Sequence, residues 1–259
     1  MNPGYHRSTL KNTGPRAHVQ KPYCAGCPVL KTGFFAALNG PSKNLLNCLM
    51  EYGRYNPRQI LYQEGNPATR IYAIKTGYIK TFRTHPLGKD QVIQLAKPGD
   101  VINLEGIHGG RCTVTAEVLM DSEICFFEIR RLMDMAARNN QLANEIMRLM
   151  AYSIEQSQMR ILDFGTRTAK ARLARFLLDL LPHQEVHHPA AEPKGLRKKP
   201  LKPLEVILPL TRQEIADLIG VRLETISRLF LLLKSKGVVS TERRLVRVHD
   251  VDRLLALAR

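Results

Sequence analysis

The stretch Thr211 to Gly237, TRQEIADLIGVRLETISRLFLLLKSKG, decides how the chain is read. Thr211 and Glu214 stand at capping-box spacing, where a hydroxyl and a carboxylate each satisfy a free backbone N–H at a helix start. Ile215, Leu218 and Ile219 follow as an apolar stripe at helical spacing. Ala216 is small enough for a second helix to cross closely, and Gly220 can turn the chain with φ above zero. Ile226, Leu229, Phe230 and Leu233 then repeat the stripe until Gly237, while Arg222, Glu224, Thr225, Ser227 and Arg228 share the opposite face. Two such helices, the second with a short-armed polar face, are the form a helix-turn-helix sets into the DNA major groove. An ordinary helical hairpin with a solvated face is the plainer alternative. The capping box, with Ala216, Gly220 and Ile226 at gaps of four and six, argues against it.

Working outward, VVSTERRLVRVHD at 238 to 250 reads as a β-hairpin, a wing that makes Arg243, Arg244 and Arg247 available to phosphates. On the other side VILPL at 206 to 210 reads as a strand leading into the motif. Residues 182 to 203, with five prolines, three histidines and the run KGLRKKPLK, read as a flexible basic insertion. Before it, Leu173, Phe176, Leu177 and Leu180 make Thr168 to Leu181 an amphipathic helix. From about Asn140 a longer helix carries Met147, Met150, Ile154, Ser157, Ile161 and Phe164 at alternating gaps of three and four, the spacing of a coiled-coil seam. No charge interrupts that seam, so a homodimer is expected, with packing of the same stripe on its own chain as the alternative.

Residues 60 to 129 change to short β-rich runs: ILY at 60, IYAI at 71, YIKTF at 78, QVIQL at 91, CTVTAEV at 112 and EICFFEI at 123. Gly65, Gly77, Gly88 and Gly99 punctuate them at intervals of 12, 11 and 11 residues. Turns that regular predict an antiparallel β-barrel or jelly roll with an interior able to hold a small ligand. The expected fold class is therefore α+β, in four parts. They are a basic arm with a CxxC pair at 1–33, a β-barrel sensor domain at 34–139 opening on a short helix before Met50, a dimerisation helix at 140–165, and a winged helix-turn-helix domain at 166–259.

A formal net charge of +16 and a pI near 9.9 favour a polyanionic partner, of which double-stranded DNA is the simplest. No apolar run approaches the roughly 20 residues that span a bilayer, and the polar N-terminus is no signal peptide, so a cytoplasmic protein without a membrane partner is expected. Five cysteines, an odd number, suit free thiols or a metal site better than a disulfide framework. No nucleophile elbow, Walker loop or H-E-x-x-H motif points to an enzyme. A ligand-binding adaptor that does not bind DNA is the rival from another class.

The order of parts resembles the CRP/FNR superfamily of bacterial transcription regulators. IYAIKTGYIKT at 71 to 81, GDVI at 99 to 102, MRLM at 147 to 150 and above all LETISRL at 223 to 229 resemble its FNR branch. There the recognition helix carries E-x-x-S-R, which falls here on Glu224, Ser227 and Arg228. Arg can grip guanine O6 and N7, Glu can accept from cytosine N4, and Leu223 suits a thymine methyl. The resemblance implies a homodimer on a palindromic TTGAT-like site and RNA polymerase as a protein partner. The DNA-facing set it implies is Thr211, Arg212, Gln213, Arg222, Leu223, Glu224, Thr225, Ser227, Arg228, Arg243 and Arg244.

The same resemblance implies an oxygen-labile [4Fe–4S] cluster, with Cys24 and Cys27 as the first ligand pair and Cys125 as the ligand in the β-domain. The expected third cysteine falls on Gly33, leaving Cys48 or Cys112 as substitutes. Read from the residues alone, C-x-x-C also fits half a zinc site, a redox pair or two unrelated thiols, and Cys125 between Ile124 and Phe126 also fits a buried core residue. The family's other effector, a cyclic nucleotide, finds only Arg111 here, in a segment INLEGI…RCT that lacks the usual Ser. An effector-independent dimer is the third possibility.

Overall fold

The computed structural model describes residues 50–85, 88–181 and 203–259. Cys24, Cys27, Gly33, Cys48, the arm, the expected helix before Met50 and nearly all of the insertion lie outside the described residues. The chain divides into two compact units, one of residues up to Arg83 with Leu95–Arg148, the other of Thr84–Gln94 with Leu149–Arg259.

The β-rich part of the chain is built on β1 (Glu51–Tyr55), β2 (Ile60–Tyr62), β3 (Arg70–Thr76), β4 (Ile79–Thr84), β5 (Asp90–Ala96), β6 (Val101–Ile102), β7 (Thr115–Val118) and β8 (Ser122–Glu128), all in the first unit except Thr84 of β4 and Asp90 to Gln94 of β5. They form two four-stranded sheets, β1-β8-β3-β6 and β2-β7-β4-β5. Neither sheet closes on itself, so of the two expected architectures the jelly roll holds and the closed barrel does not. The regular glycines turn the chain as read, with φ of 81° at Gly65, 86° at Gly77, 80° at Gly88 and 97° at Gly99. Gly77 is doubly constrained, because a Cβ there would lie 2.0 Å from Ser122 Oγ.

Inside this unit Tyr72, Ile74, Ile79, Ile102, Ile124 and Phe126 form one apolar cluster, with Tyr62 packed against it. Strands β1 and β6 and two helices, α1 (Gly106–Gly109) and α2 (Ile129–Ala136), are additions to the sequence reading. CTVTAEV becomes a strand only from Thr115. Cys112 is instead clamped in a loop, its N–H donating to Asn66 O at 2.8 Å and its carbonyl accepting from Gly65 N at 2.8 Å.

The long helix α3 runs from Asn140 to Thr166, 27 residues, which at 1.5 Å per residue is about 40 Å. Its two ends differ. Leu142, Ile146 and Leu149 are buried, whereas no residue from Ala151 to Thr168 is.

The second unit continues with α4 (Ala169–Asp179), capped by Thr168 Oγ1 accepting from Ala171 N at 3.2 Å. It then has β9 (Leu204–Ile207), α5 (Arg212–Ile219), α6 (Leu223–Ser235), β10 (Val239–Glu242), β11 (Leu245–Val248) and α7 (Val251–Ala258). The wing is a three-stranded antiparallel sheet in the order β10-β11-β9, and α7 packs against α4 through the fully buried Leu254.

Candidate DNA interface

Helix α5 forms as its sequence dictates. Thr211 Oγ1 accepts from Glu214 N at 3.3 Å, and Glu214 Oε2 accepts from Thr211 N at 2.8 Å, closing the capping box. Gly220 ends the helix in the left-handed region at φ 68° and ψ 50°. Its apolar stripe is buried at Ile215, Ala216 and Ile219, against Ile226, Phe230 and Leu233 of α6. Burying three or four large apolar side chains at about 1.5–3 kcal/mol each fixes the crossing of the two helices.

Helix α6 begins differently. Arg222 occupies its N-cap in extended conformation (φ −82°, ψ 153°) and no side chain caps the free N–H groups. A bare helix N-terminus is a ready partner for phosphate oxygen. Arg222, Leu223, Glu224 and Arg228 are exposed, and Thr225 and Ser227 half-buried. Glu224 and Arg228 are one turn apart, the spacing at which such pairs join, yet among the described residues no side-chain hydrogen bond or ion pair holds Arg222, Glu224 or Arg228. These groups form a row of unsatisfied donors and an acceptor on the first two turns of α6.

The other expected contacts separate into two kinds. Arg243 and Arg244 are exposed at the turn between β10 and β11, Arg243 with φ of 53°. Arg247 is not available as expected, because its guanidinium bonds Glu205 at 2.7 Å and Glu242 at 3.2 Å along the wing sheet. Thr211 is engaged in its cap, and Gln213 Nε2 donates to Asp217 Oδ1 at 2.9 Å. Arg212 stacks on the Phe230 ring at 4.1 Å, and burial lowers its affinity for a proton. It serves first as a bridge between the two helices.

On α3 the expected seam is open to solvent at Met147 (58% exposed), Ile154 (59%) and Ile161 (70%). Met150 is half-buried, and Ser157 is exposed with its hydroxyl satisfied by Ser153 O at 2.9 Å. Among the described residues nothing covers this stripe at those three positions. Phe164 is half exposed and lies against the turn of the helix-turn-helix.

The family described as Crp-like helix-turn-helix domain matches residues 171–257, and the cyclic nucleotide-binding domain family matches residues 53–139. The chain belongs to the CRP/FNR superfamily. It is 26% identical over 245 residues to the transcriptional activator protein Anr of Pseudomonas aeruginosa, covering 94% of this chain and 93% of that one. It is 27% identical over 237 residues to the anaerobic regulatory protein of Pasteurella multocida, covering 91% and 82%. Among solved structures FixK2 from Bradyrhizobium japonicum overlays with a TM-score of 0.66 at 24% identity, over 81% of this chain and 98% of that one. These relatives are transcription regulators rather than enzymes, and like them this CRP/FNR protein is a DNA-binding transcription regulator of the FNR-like branch.

Inside the β-domain Tyr62 stacks on Tyr72 at a ring separation of 5.5 Å. Burial pushes the Tyr72 phenol up to about 12 and the Tyr62 phenol higher still. Arg111, the residue expected to grip a cyclic phosphate, donates to Gly65 O at 2.6 Å, and Glu105 accepts from Thr113 Oγ1 at 2.9 Å.

Both described thiols are buried and free of disulfide. Burial raises the Cys112 pKa, partly offset by a hydrogen bond from Asn103, and its carboxylate and phenol neighbours are Glu105, Tyr62 and Tyr72. Cys125 pairs in register with Ala73 of β3 and Tyr52 of β1. Adjacent strand residues point to opposite faces, so Cys125 lies on the face away from Ile124, Phe126 and Tyr72. Cys125 lies one register step from Glu51, the residue at which β1 begins. Among the described residues no group of three or more His, Cys, Asp or Glu could hold a metal. Nor is any described helix long and apolar enough to cross a membrane.

Proposed function

We propose that this regulator is a cytoplasmic homodimer that reads a palindromic TTGAT-like site with the first two turns of α6. The observation that carries the reading is the row Arg222, Glu224 and Arg228, exposed and unpaired on a helix whose N-terminus has no cap. Arg228 would take a guanine bidentately, Glu224 a cytosine amine, Ser227 either partner and Leu223 a thymine methyl, with Arg243 and Arg244 on flanking phosphates. Thr211, Gln213 and Thr225 would border the backbone path, and Arg212 would act through Phe230. The exposed stripe from Met147 through Ile154 to Ile161 supports the dimer, because apolar residues at heptad gaps that no described residue covers are what a partner helix buries. RNA polymerase is the protein partner that the role of an activator requires.

The signal we propose is oxygen or redox state, entering through Cys24, Cys27 and Cys125. The names of relatives such as the anaerobic regulatory protein support it. A [4Fe–4S] cluster would supply oxygen sensitivity, with Cys48 or Cys112 as the thiol for the place that Gly33 leaves without one. The Tyr62–Tyr72 stack and the Arg111–Gly65 bond speak against a cyclic nucleotide as effector.

Titration of a palindromic duplex against an unrelated one at several salt concentrations tests the output. A steep salt slope with preference for the palindrome supports the reading, and equal affinity for both duplexes sinks it. Iron content and visible absorption of protein purified without oxygen test the input. Colourless, iron-free protein that still prefers its site would leave an effector-independent regulator.

A further inference from the structure

The passage from α3 to α4, residues 163 to 175, is held by two arginines with separate duties. Arg167 donates from Nε to Asp163 Oδ1 at 2.6 Å, and its Nη1 donates to the carbonyl of Ala258 and, at 3.3 Å, to that of Arg259, where α7 ends. Arg175 adds a second bond to Asp163 at 3.3 Å. One guanidinium thereby latches the C-terminal helix to the last turn of the long helix, at an end where carbonyls and the helix dipole favour a cation. Arg172 works on the other side. Its Nη1 donates to Phe164 O and Arg167 O, both at 3.0 Å, its Nη2 reaches Gly220 O at 3.4 Å, and its guanidinium lies 5.6 Å from the centre of the Phe164 ring.

Phe164 in turn lies against Gly220: a Cβ on that glycine would meet the ring at 3.2 Å. Gly220 is the turn from which α6 departs. The end of α3, the turn of the helix-turn-helix and the end of α7 are thus joined at one elbow by carbonyls that planar, forked guanidiniums can bridge and a single ammonium cannot. None of these groups points into the row that Arg222, Glu224 and Arg228 form, so they do not read bases.

We infer that Arg167 and Arg172 are positioning residues that fix the direction in which α6 leaves α3, and so set the spacing between half-sites that the regulator accepts. The inference rests on the dimeric, palindrome-reading function proposed above. In a two-fold dimer each recognition helix is carried on its own elbow, and half-sites lie about one helical turn apart. One added base pair displaces a half-site by about 3.4 Å and turns it by about 34°. A stiff elbow rejects that change and a loosened elbow tolerates it.

The test uses the full chain and its Arg167→Lys and Arg172→Lys variants. Each is titrated with a palindrome of native spacing, the same palindrome with one base pair added or removed at its centre, and a single half-site. Wild type should bind the native spacing at least tenfold better than either altered spacing. Each variant should lose most of that preference, to about twofold, while keeping wild-type affinity for the half-site and an unchanged melting temperature. A variant that retains the full spacing preference overturns the inference. So does one whose half-site affinity falls as far as its palindrome affinity, because the arginines would then only hold the domain together. Wild type that binds palindrome and half-site alike overturns the dimeric reading itself, and the spacing inference with it.

Discussion

Helices α5 and α6 are neighbours of similar composition, yet one is closed upon itself and the other is left open. At the start of α5 the Thr211–Glu214 box satisfies the free N–H groups from within the chain, and Gln213 is tied to Asp217. The start of α6 has Arg222 without a capping bond, and its charged side chains find no partner among the described residues. Both helices bury the same kind of stripe, so packing does not distinguish them. What differs is where the polar groups are satisfied, and a helix that leaves its own unsatisfied is arranged for something outside the chain.

The contrast between the two helices is tested most severely at the stripe they share. Leu233→Ala, at a residue 1% exposed, should cost about 2–5 kcal/mol of stability by denaturant titration. Both helices should loosen together, and loss confined to DNA binding would contradict their common core. Next comes the open helix: Arg228→Ala should lose about 1–3 kcal/mol of binding to the palindrome and relax one base position, with melting unchanged. Equal loss on unrelated DNA would remove its base-reading role. The closed helix should show the converse. Thr211→Ala should lower stability by about 1 kcal/mol while leaving the ranking of base substitutions in the site as it was. The smallest effect belongs to the wing. Arg243→Gly suits the positive φ of that position, so stability should hold or rise by a few tenths of a kcal/mol. Affinity should fall for all sequences alike, with a salt slope shallower by about 0.9 for each phosphate no longer neutralised.

The DNA-reading unit was legible because its signals are local: a capping box spans four residues, and a turn glycine needs only its own φ. The glycine-punctuated strands were legible for the same reason. Other features were not, because they depend on partners distant in the chain. Arg247 read as a free cation until the register of β9 with β11 set it opposite Glu205. Arg212 read as a surface group until α6 brought Phe230 beneath it. Strand β6, two residues long, is too short to show alternation, and it exists because Ile102 and Val101 pair with Tyr72 and Ala73 of β3. The elbow arginines carry no sequence signature, since five of their partners are backbone carbonyls, those of Phe164, Arg167, Gly220, Ala258 and Arg259.

The apolar stripe that α3 exposes among the described residues has one further consequence. Met147, Ile154 and Ile161 gain by leaving water only when another surface covers them, so any association that does so stabilises the folded chain by mass action. Melting temperature should then rise with protein concentration. At concentrations where pairs are scarce, occupancy of a two-fold site should climb more steeply than in direct proportion to the number of chains. If the proposed dimer forms, the amount of this protein would itself set the output, whatever the cysteines report.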